Sequence, residues 1–339
     1  MLGTGTVGRA FVARHVQLRE RGVLLPALGC IANSRAVTSR CDDPAAALQQ
    51  VNASTHQSDG ARFACDADAL SRGDIVIDAT ASDAIAGQHA DWLARGIHVV
   101  TANKLGMGAG FARARTIRTA CDYSGAHYGD NATVGAGLPL LRSIRELVRG
   151  GDRIHAIEGV LSGSLAWLFN HYDGMRPFSG FVREARAAGY TEPDPRIDLS
   201  GEDVRRKLLI LARAAGLSLE AEDVAVDSLV PKRLAAVAIE HLDAKLPYFD
   251  TPLRKRFQQA YRDNASLRFI GRIDASGASV GLRALPADHP LCGGSGTDNR
   301  VAITSCRYQE QPLVIQGPGA GAEVTAAALL DDVLRIASP

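Results

Sequence analysis

Apolar residues near the start of the chain recur at the spacing of a helix. Within "MLGTGTVGRAFVARHVQLRERG" they stand at spacings of four, one and three, at Val7, Phe11, Val12 and His15. Three short apolar runs follow, "VLLPALGCIANSR", "GDIVIDATAS" and "GIHVVTANK", and each ends in polar residues. Runs of this length, bounded by turn residues, are typical of buried strands. Strands that alternate with helices predict an α/β fold with a doubly wound parallel sheet, whose ligands lie at the carboxyl ends of the strands.

Three glycines stand where the first strand should turn into the first helix. The motif "GTGTVG" supplies Gly3, Gly5 and Gly8. In a dinucleotide-binding turn the first glycine permits the tight bend and the second lets the backbone approach the pyrophosphate, while the third lets helix and strand pack closely. Only Met1 and Leu2 precede this turn. We therefore expect a Rossmann fold with a truncated first strand.

The end of the second strand bears on the choice of cofactor. An acidic residue there binds the ribose 2′-hydroxyl of NADH and disfavours a 2′-phosphate. This chain has Asn33, Ser34 and Arg35 instead, directly after an apolar run that ends at Ala32. Arginine suits a phosphate because of its charge and its forked donors. The pattern favours NADPH over NADH, and an ordinary surface arginine is the alternative interpretation.

Composition narrows the class of protein. The 339 residues suffice for two domains, and 46% of them are hydrophobic and 22% charged, as in globular proteins. A net charge of +1 argues against binding to nucleic acid or to an anionic membrane. Six scattered cysteines form no C-x-x-C pair, which fits a reducing cytosol better than a disulfide framework or a zinc site. No apolar run approaches membrane-spanning length and no export signal is visible, so we expect a cytoplasmic protein.

The stretch "GYTEPDPRIDLSGEDVRRKLLILARAAG" is unusually rich in charge. Its spacing predicts a helix that begins at Gly201 and ends at Gly216, which can take the left-handed position after a helix. Ser200 and Asp203 resemble a capping box at its start. Two prolines are expected to hold the preceding chain extended.

The predicted helix has a polar side and an apolar side. At about 100° per residue, the polar side carries Glu202, Arg206 and Arg213, with Leu209 falling near it. Asp203 and Lys207, four residues apart, lie beside the apolar side. An exposed pair of this kind is worth only about 0.3–0.5 kcal/mol and would be merely structural. A lysine next to the core is costly unless it is paired or used, so we interpret this pair as functional.

Several motifs together resemble those of the homoserine dehydrogenases, most closely the dehydrogenase part of the fused aspartokinase–homoserine dehydrogenases. These motifs are "GTGTVG" (3–8), "TANK" (101–104), "NATVGAGLPLL" (131–141), "GVLSGSLAWLFN" (159–170), "GYTEPDPRIDLSGEDVRRKLLILAR" (189–213) and "GPGAGAEVTAAALLDDV" (317–333). The resemblance covers nearly the whole chain. It implies reduction of L-aspartate 4-semialdehyde to L-homoserine with NAD(P)H, on the route to threonine and methionine. It also implies a Rossmann cofactor domain joined to an α/β substrate and dimerisation domain, hence a homodimer.

The resemblance also assigns roles to particular residues. The family's proton-donating lysine falls on Lys207, and Asp203 would orient it. Glu192 would bind the substrate's ammonium group, and Asp198 would be a second carboxylate at the site. Lys104 of "TANK" would place a second cation at the reacting oxygen, or would bind the cofactor only.

Cofactor and cation contacts follow in the same way. Besides Gly3, Gly5 and Gly8, the resemblance assigns to the cofactor the residues Thr6, Val7, Ser34, Arg35, Thr80, Ser82, Lys104 and Gly321. Some members of the family hold a monovalent cation with backbone carbonyls, which match Val134, Ala136 and Leu138 here. Asn131 stands where an acidic residue often lies in those proteins, which weakens the case for a cation.

We expect three segments: a Rossmann NADP-binding domain over 1–132, a catalytic and dimerisation domain over 133–315, and a segment over 316–339 that returns to the cofactor domain. A two-stranded hairpin is predicted around residues 275–277. A non-catalytic NADPH-binding regulatory protein of the same fold is the alternative function. An acyl-phosphate-forming semialdehyde dehydrogenase is disfavoured, because it needs a nucleophilic cysteine and none of the six lies in these motifs.

Overall fold

The computed structural model describes residues 1–38, 41–54 and 70–337. The helices, in chain order, are α1 (Thr6–Glu20), α2 (Pro44–Ala53), α3 (Asp83–Ala94), α4 (Leu105–Gly108), α5 (Phe111–Ser124), α6 (Leu140–Arg149), α7 (Gly163–His171), α8 (Phe178–Ala187), α9 (Pro195–Leu199), α10 (Glu202–Ala214), α11 (Lys232–Ala235), α12 (Ile239–Lys245), α13 (Asp250–Arg262) and α14 (Ala322–Ala337). The strands are β1 (Ile31–Ala32), β2 (Val37–Thr38), β3 (Ile75–Asp78), β4 (His98–Thr101), β5 (Tyr128–Gly129), β6 (Ile154–Val160), β7 (Val224–Val226), β8 (Ala265–Asp274), β9 (Gly277–Pro286), β10 (Asp298–Ser305) and β11 (Leu313–Pro318).

The chain divides into two compact units. The first unit comprises Met1–Gly137 together with Ala320–Pro339, and the second unit comprises Leu138–Gly319. The sequence placed the corresponding boundaries after residues 132 and 315.

The first unit is built on parallel strands, as the sequence predicts. Strands β3, β4 and β5 lie side by side in parallel. Leu2 forms parallel bridges to both Ala32 and Asp78, and its amide donates to the Ile77 carbonyl at 2.7 Å. Leu2 therefore lies between β1 and β3, in the place of the first Rossmann strand. The second predicted strand ends at Ala32 as expected, but only Ile31–Ala32 of its apolar run is a strand, and residues 23–30 are not.

Helices α1 and α14 share the core of the first unit. Phe11 and Val12 of α1 are buried in one apolar cluster with Leu329, Leu330 and Val333 of α14. These positions are spaced by one, three and four residues, so each helix places one apolar side against the other. The C-terminal helix thereby belongs to the same core as the helix that follows the glycine turn.

The second unit is a mixed sheet covered by helices. Its six strands follow the order β11-β10-β6-β8-β9-β7, and all pairs are antiparallel except β7 with β9. The predicted hairpin is confirmed: Asp274 pairs with Gly277 across the turn between β8 and β9. Helix α10 packs against α6, β8 and β9, so it lies inside this unit rather than on its surface.

Among residues 1–38, 41–54 and 70–337, no helix is both long enough and apolar enough to cross a bilayer.

Candidate functional site

The three glycines of the first turn have three different surroundings. Gly3 has φ +93°, and a Cβ built on it would lie 2.8 Å from the Ala79 carbonyl oxygen. A Cβ on Gly8 would lie only 2.0 Å from the Gly3 carbonyl oxygen. Gly5 has no heavy atom within 4 Å of the corresponding position. The fold thus requires glycine at residues 3 and 8. Gly5 instead leaves the backbone open to a ligand, as a dinucleotide-binding turn requires.

Helix α1 begins directly at this open glycine. Gly5 is the N-cap residue and has no side chain to satisfy the first amides of the helix. The exposed Thr6 and the half-buried Val7 supply two of those amides. Because unsatisfied amides and the helix dipole make a helix start positive, this end suits a phosphate.

The segment after β1 is held by Asn33. Its amide nitrogen donates to Thr4 Oγ1 at 3.1 Å, and its oxygen accepts from the backbone amides of Arg35 and Ala36 at 2.8 and 3.0 Å. Ser34 and Arg35 are exposed on the turn that these bonds form. The turn therefore presents a guanidinium and a hydroxyl, with no acidic residue, after the strand.

Two loops of the first unit meet at the buried Asp78, at the carboxyl end of β3. Thr80 donates from its amide and its hydroxyl to Asp78 Oδ1, at 2.9 and 2.6 Å. Ser82 caps α3 through its side chain and donates its amide to Thr80 Oγ1 at 3.2 Å.

Lys104 is half-buried at the start of α4. Gly321, with φ +127°, stands directly before α14.

In the second unit, Lys207 is buried and its amine has two partners. Its residue is 8% exposed. The Nζ atom lies 2.9 Å from Asp203 Oδ2 and donates to the Leu161 carbonyl oxygen at 2.8 Å. A carboxylate one turn earlier and a carbonyl from the segment after β6 thus fix the ammonium group. The pair lies against the core, as the helical spacing predicts.

Asp198 connects the charged stretch to another part of the second unit. Its Oδ1 accepts from the Ser164 hydroxyl at 2.8 Å, and its Oδ2 accepts from the Glu192 amide at 2.9 Å. The pKa of Asp198 is raised above its usual value, chiefly by burial and also by the charge of Asp203. The hydrogen bonds from Glu192 and Ser164 offset part of this rise. The side chain of Glu192 itself is exposed. The arrangement places the exposed carboxylate of Glu192 on a loop that the half-buried carboxylate of Asp198 anchors.

Comparison with known proteins identifies these units. Residues 3–128 match the family described as homoserine dehydrogenase, NAD binding domain, and residues 139–334 match the family described as homoserine dehydrogenase. The chain belongs to the homoserine dehydrogenase family. Its first unit is accordingly a nicotinamide-nucleotide-binding domain.

Individual relatives agree. The chain is 47% identical over 267 residues to a bifunctional aspartokinase/homoserine dehydrogenase of Zea mays. The matched region is 78% of this chain and only 29% of that longer protein. The chain is 40% identical over 273 residues to a homoserine dehydrogenase of Schizosaccharomyces pombe, which covers 78% of this chain and 73% of that protein. The crystal structure of the Thermoplasma acidophilum homoserine dehydrogenase shares the fold, with a TM-score of 0.70 and 20% identity over 100% of this chain and 98% of that one.

The residues matched to the family's cation site lie around a left-handed turn. Val134 is buried, and Gly135 and Ala136 have φ +74° and +49°. The Leu138 carbonyl oxygen accepts from the Leu140 amide at 2.8 Å. In the described ranges, no group of three or more His, Cys, Asp or Glu residues could hold a metal ion. A monovalent cation on backbone carbonyls therefore stays a prediction.

Asn131, where the resemblance leads us to expect an acidic residue, is bonded to a carboxylate. Its Nδ2 and its backbone amide donate to Asp332 at 2.5 and 3.1 Å. The pKa of Asp332 is raised above its usual value, chiefly by burial and also by the charge of the nearby Asp130. The hydrogen bond from the Asn131 side chain offsets part of this rise. The acidic group at this point thus comes from α14, 201 residues away in sequence.

Two expectations for the charged stretch were wrong. Helix α10 begins at Glu202 with Gly201 as its N-cap at φ +82° and no side-chain cap, so Ser200 and Asp203 form no capping box. The Ser200 hydroxyl instead donates to the Ile197 carbonyl at 2.7 Å. The second proline, Pro195, opens the short helix α9 rather than an extended chain, because proline is well suited to a first helical position.

The predicted polar side of α10 holds for the exposed Glu202 and the half-buried Arg206 but was wrong for Arg213. Arg213 is 0% exposed and donates to the Leu219 carbonyl oxygen at 2.9 Å, with Glu220 3.7 Å away. Leu209 is buried as well. Since α6, β8 and β9 surround this helix, periodicity alone could not identify the side that faces water. The left-handed Gly216 after the helix is confirmed, at φ +87°.

Two participants were missed by the sequence interpretation. Asp78 ends the predicted strand and Ser164 stands within the quoted motif "GVLSGSLAWLFN", but neither had a role assigned. Asp78 is the last residue of β3, and Ser164 lies at the start of α7, soon after β6 ends. A polar residue near a strand's carboxyl end was the available signal.

Proposed function

We propose that this chain catalyses the NADPH-dependent reduction of L-aspartate 4-semialdehyde to L-homoserine, a step toward threonine and methionine. The observation that carries this proposal is the buried Lys207 amine, held at 2.9 Å by Asp203 and at 2.8 Å by the Leu161 carbonyl. Partial burial of an ammonium is costly unless it is paired or used. Two acceptors leave the third amine proton of Lys207 for a substrate oxygen.

The proton transfer follows from this geometry. The nicotinamide supplies the hydride when the cofactor is bound. Lys207 Nζ donates a proton to the carbonyl oxygen as negative charge develops on it. Asp203 directs the amine of Lys207, and the bond to the Leu161 carbonyl prevents it from rotating away. In homoserine oxidation the neutral amine accepts the same proton.

Substrate recognition uses the exposed carboxylate. Glu192 pairs with the substrate's ammonium group, and Asp198 fixes the loop that bears Glu192 through its amide at 2.9 Å. Lys104 adds a second positive charge at the reacting oxygen; a role in cofactor binding alone is the competing assignment.

The cofactor preference is part of the proposal. The segment Asn33–Ser34–Arg35 after β1 carries an exposed arginine and no acidic residue in its sequence, and an arginine suits a 2′-phosphate. The open Gly5 and the amides of Thr6 and Val7 suit the pyrophosphate. NADH use at lower efficiency is compatible with the same groups. Homodimerisation stays a prediction, and so does a cytoplasmic location, since the maize relative is named as a chloroplast protein.

Homoserine oxidation tests the proposal directly. Reduced-nicotinamide absorbance is followed with NADP and NAD for the unaltered chain, Lys207→Ala and the exposed control Lys255→Ala. We expect Lys207→Ala to lower kcat by about 10²-fold or more, with NADPH affinity kept, and Lys255→Ala to retain activity. An unaltered chain that binds NADPH but turns nothing over would instead support the non-catalytic regulatory alternative.

A further inference from the structure

We infer that Asn103 is a positioning residue for Lys104, and that the buried carboxylate of Asp78 is its anchor. This inference rests on the catalytic role proposed above for Lys104. It concerns residues that all lie in the first unit, between the carboxyl ends of β3 and β4 and the start of α4.

Asn103 ties three segments together at the point where Lys104 begins. Its Nδ2 donates to Asp78 Oδ2 at 3.0 Å and to the Ser82 carbonyl oxygen at 2.9 Å. Its Oδ1 accepts from the Leu105 amide at 3.1 Å. The side chain is 2% exposed. The side chain of the residue before Lys104 therefore holds the backbone amide of the residue after it, and is itself held by Asp78 and Ser82.

Asp78 gives this amide group a fixed partner. Its residue is 0% exposed, and its Oδ2 is also bonded to His89 Nε2 at 3.0 Å. His89 is equally buried and its Nδ1 meets the Tyr128 hydroxyl at 3.0 Å. A carboxylate accepts only, so His89 Nε2 donates here and its ring is held in one orientation.

The two oxygens of Asp78 serve two different loops. Oδ1 accepts from Thr80, on the loop after β3 that is assigned to the nucleotide, whereas Oδ2 accepts from Asn103, on the loop that carries Lys104. Such a division predicts separable effects. Loss of the Oδ2 contact should disturb the chemical step, and loss of the Oδ1 contact should disturb cofactor binding.

A double-mutant cycle tests whether Asn103 acts through Lys104. Asn103→Ala, Lys104→Ala and the double variant are assayed for kcat, for the KM of NADPH and for melting temperature. We expect Asn103→Ala to lower kcat about tenfold with the KM of NADPH changed by less than about threefold. In the Lys104→Ala background the same substitution should change kcat by less than about twofold, because the side chain that Asn103 positions is already absent.

Two further variants keep the test decisive. Thr80→Val should raise the KM of NADPH and leave kcat unchanged, whereas Asn103→Ala should lower kcat and leave the KM of NADPH nearly unchanged. Lys255→Ala, at an exposed lysine of the second unit outside this network, is the control and should leave both constants unchanged. If Asn103→Ala does not fold, Asn103→Ser enters the same cycle.

The outcomes separate this inference from the proposed function. Multiplicative losses in the double variant would overturn it, since Asn103 would then act independently of Lys104. A Lys104→Ala variant with normal kcat would overturn it too, together with the catalytic role of Lys104. Failure of the proposed function itself would appear differently, as a Lys207→Ala variant that turns over homoserine normally.

Discussion

The glycine turn permits a sharp prediction, because one alanine scan should separate the fold from the cofactor site. A Cβ at residue 8 would lie 2.0 Å from the Gly3 carbonyl oxygen, about 1.4 Å closer than ordinary contact begins. Both partners are backbone, so neither can rotate away. We expect Gly8→Ala to cost about 3 kcal/mol or more in the free energy of unfolding, which is a large share of the roughly 5–15 kcal/mol of a typical domain.

Gly5→Ala should behave in the opposite way. Its φ of −71° is accessible to alanine and no heavy atom lies within 4 Å of the new Cβ. Stability should change by no more than about 1 kcal/mol. The methyl group would stand where the pyrophosphate approaches the backbone. We therefore expect the Kd for NADPH to rise about tenfold or more, at an almost unchanged melting temperature.

Thermal unfolding and NADPH fluorescence titration, measured on the same samples, check both variants. For Gly8→Ala the melting temperature should fall on the order of 6–12 °C. Gly87→Ala is the matched control, because Gly87 lies inside α3 with no heavy atom near its Cβ position; it should gain about 0.5–1 kcal/mol and bind NADPH normally. Normal NADPH binding by Gly5→Ala, or an unchanged melting temperature for Gly8→Ala, would refute the assignment of the three glycines.

Three further predictions concern buried polar groups. Ser164→Ala removes a 2.8 Å bond that lowers the pKa of Asp198, so the acid limb of the pH–rate profile should move to higher pH at a cost of about 1 kcal/mol of stability; an unmoved limb contradicts the role of Asp198. Burial raises the pKa of Asp332, so its ionisation destabilises the folded chain as pH rises from about 4 through that raised pKa. Urea unfolding at several pH values should therefore show the free energy of unfolding of Asp332→Asn rising relative to the unaltered chain over that range. A difference that is constant with pH would count against this. A Cβ on Gly106 would lie 2.1 Å from the Tyr128 hydroxyl, so Gly106→Ala should lower the melting temperature and Tyr128→Phe in the same chain should restore part of it; no restoration would place the conflict elsewhere.

Local patterns in the sequence were sufficient for much of the fold. The glycine spacing, the apolar runs that end at Ala32 and Asp78, and the hairpin between β8 and β9 are all encoded within about ten neighbouring residues. The same holds for Asp203 and Lys207, because two residues four apart share a helical side wherever the helix lies.

Partners far apart in sequence could not be deduced from such patterns. Asn131 is bonded to Asp332, and Asp198 to Ser164, 34 residues away. Hydrogen-bond partners of this kind are fixed by which elements pack together, and that depends on the whole core.

Burial of charge was also decided only by the tertiary structure. Arg213 belongs to the side of α10 that looks polar in sequence, yet α6, β8 and β9 enclose the helix and leave this side chain 0% exposed. The sequence by itself determined the element types, the cofactor turn and the lysine–carboxylate pair, because each depends on short-range periodicity and backbone geometry. The tertiary structure decided which of those charges are enclosed and which loops Asp78 joins, because desolvation and long-range hydrogen bonds arise only when distant segments pack.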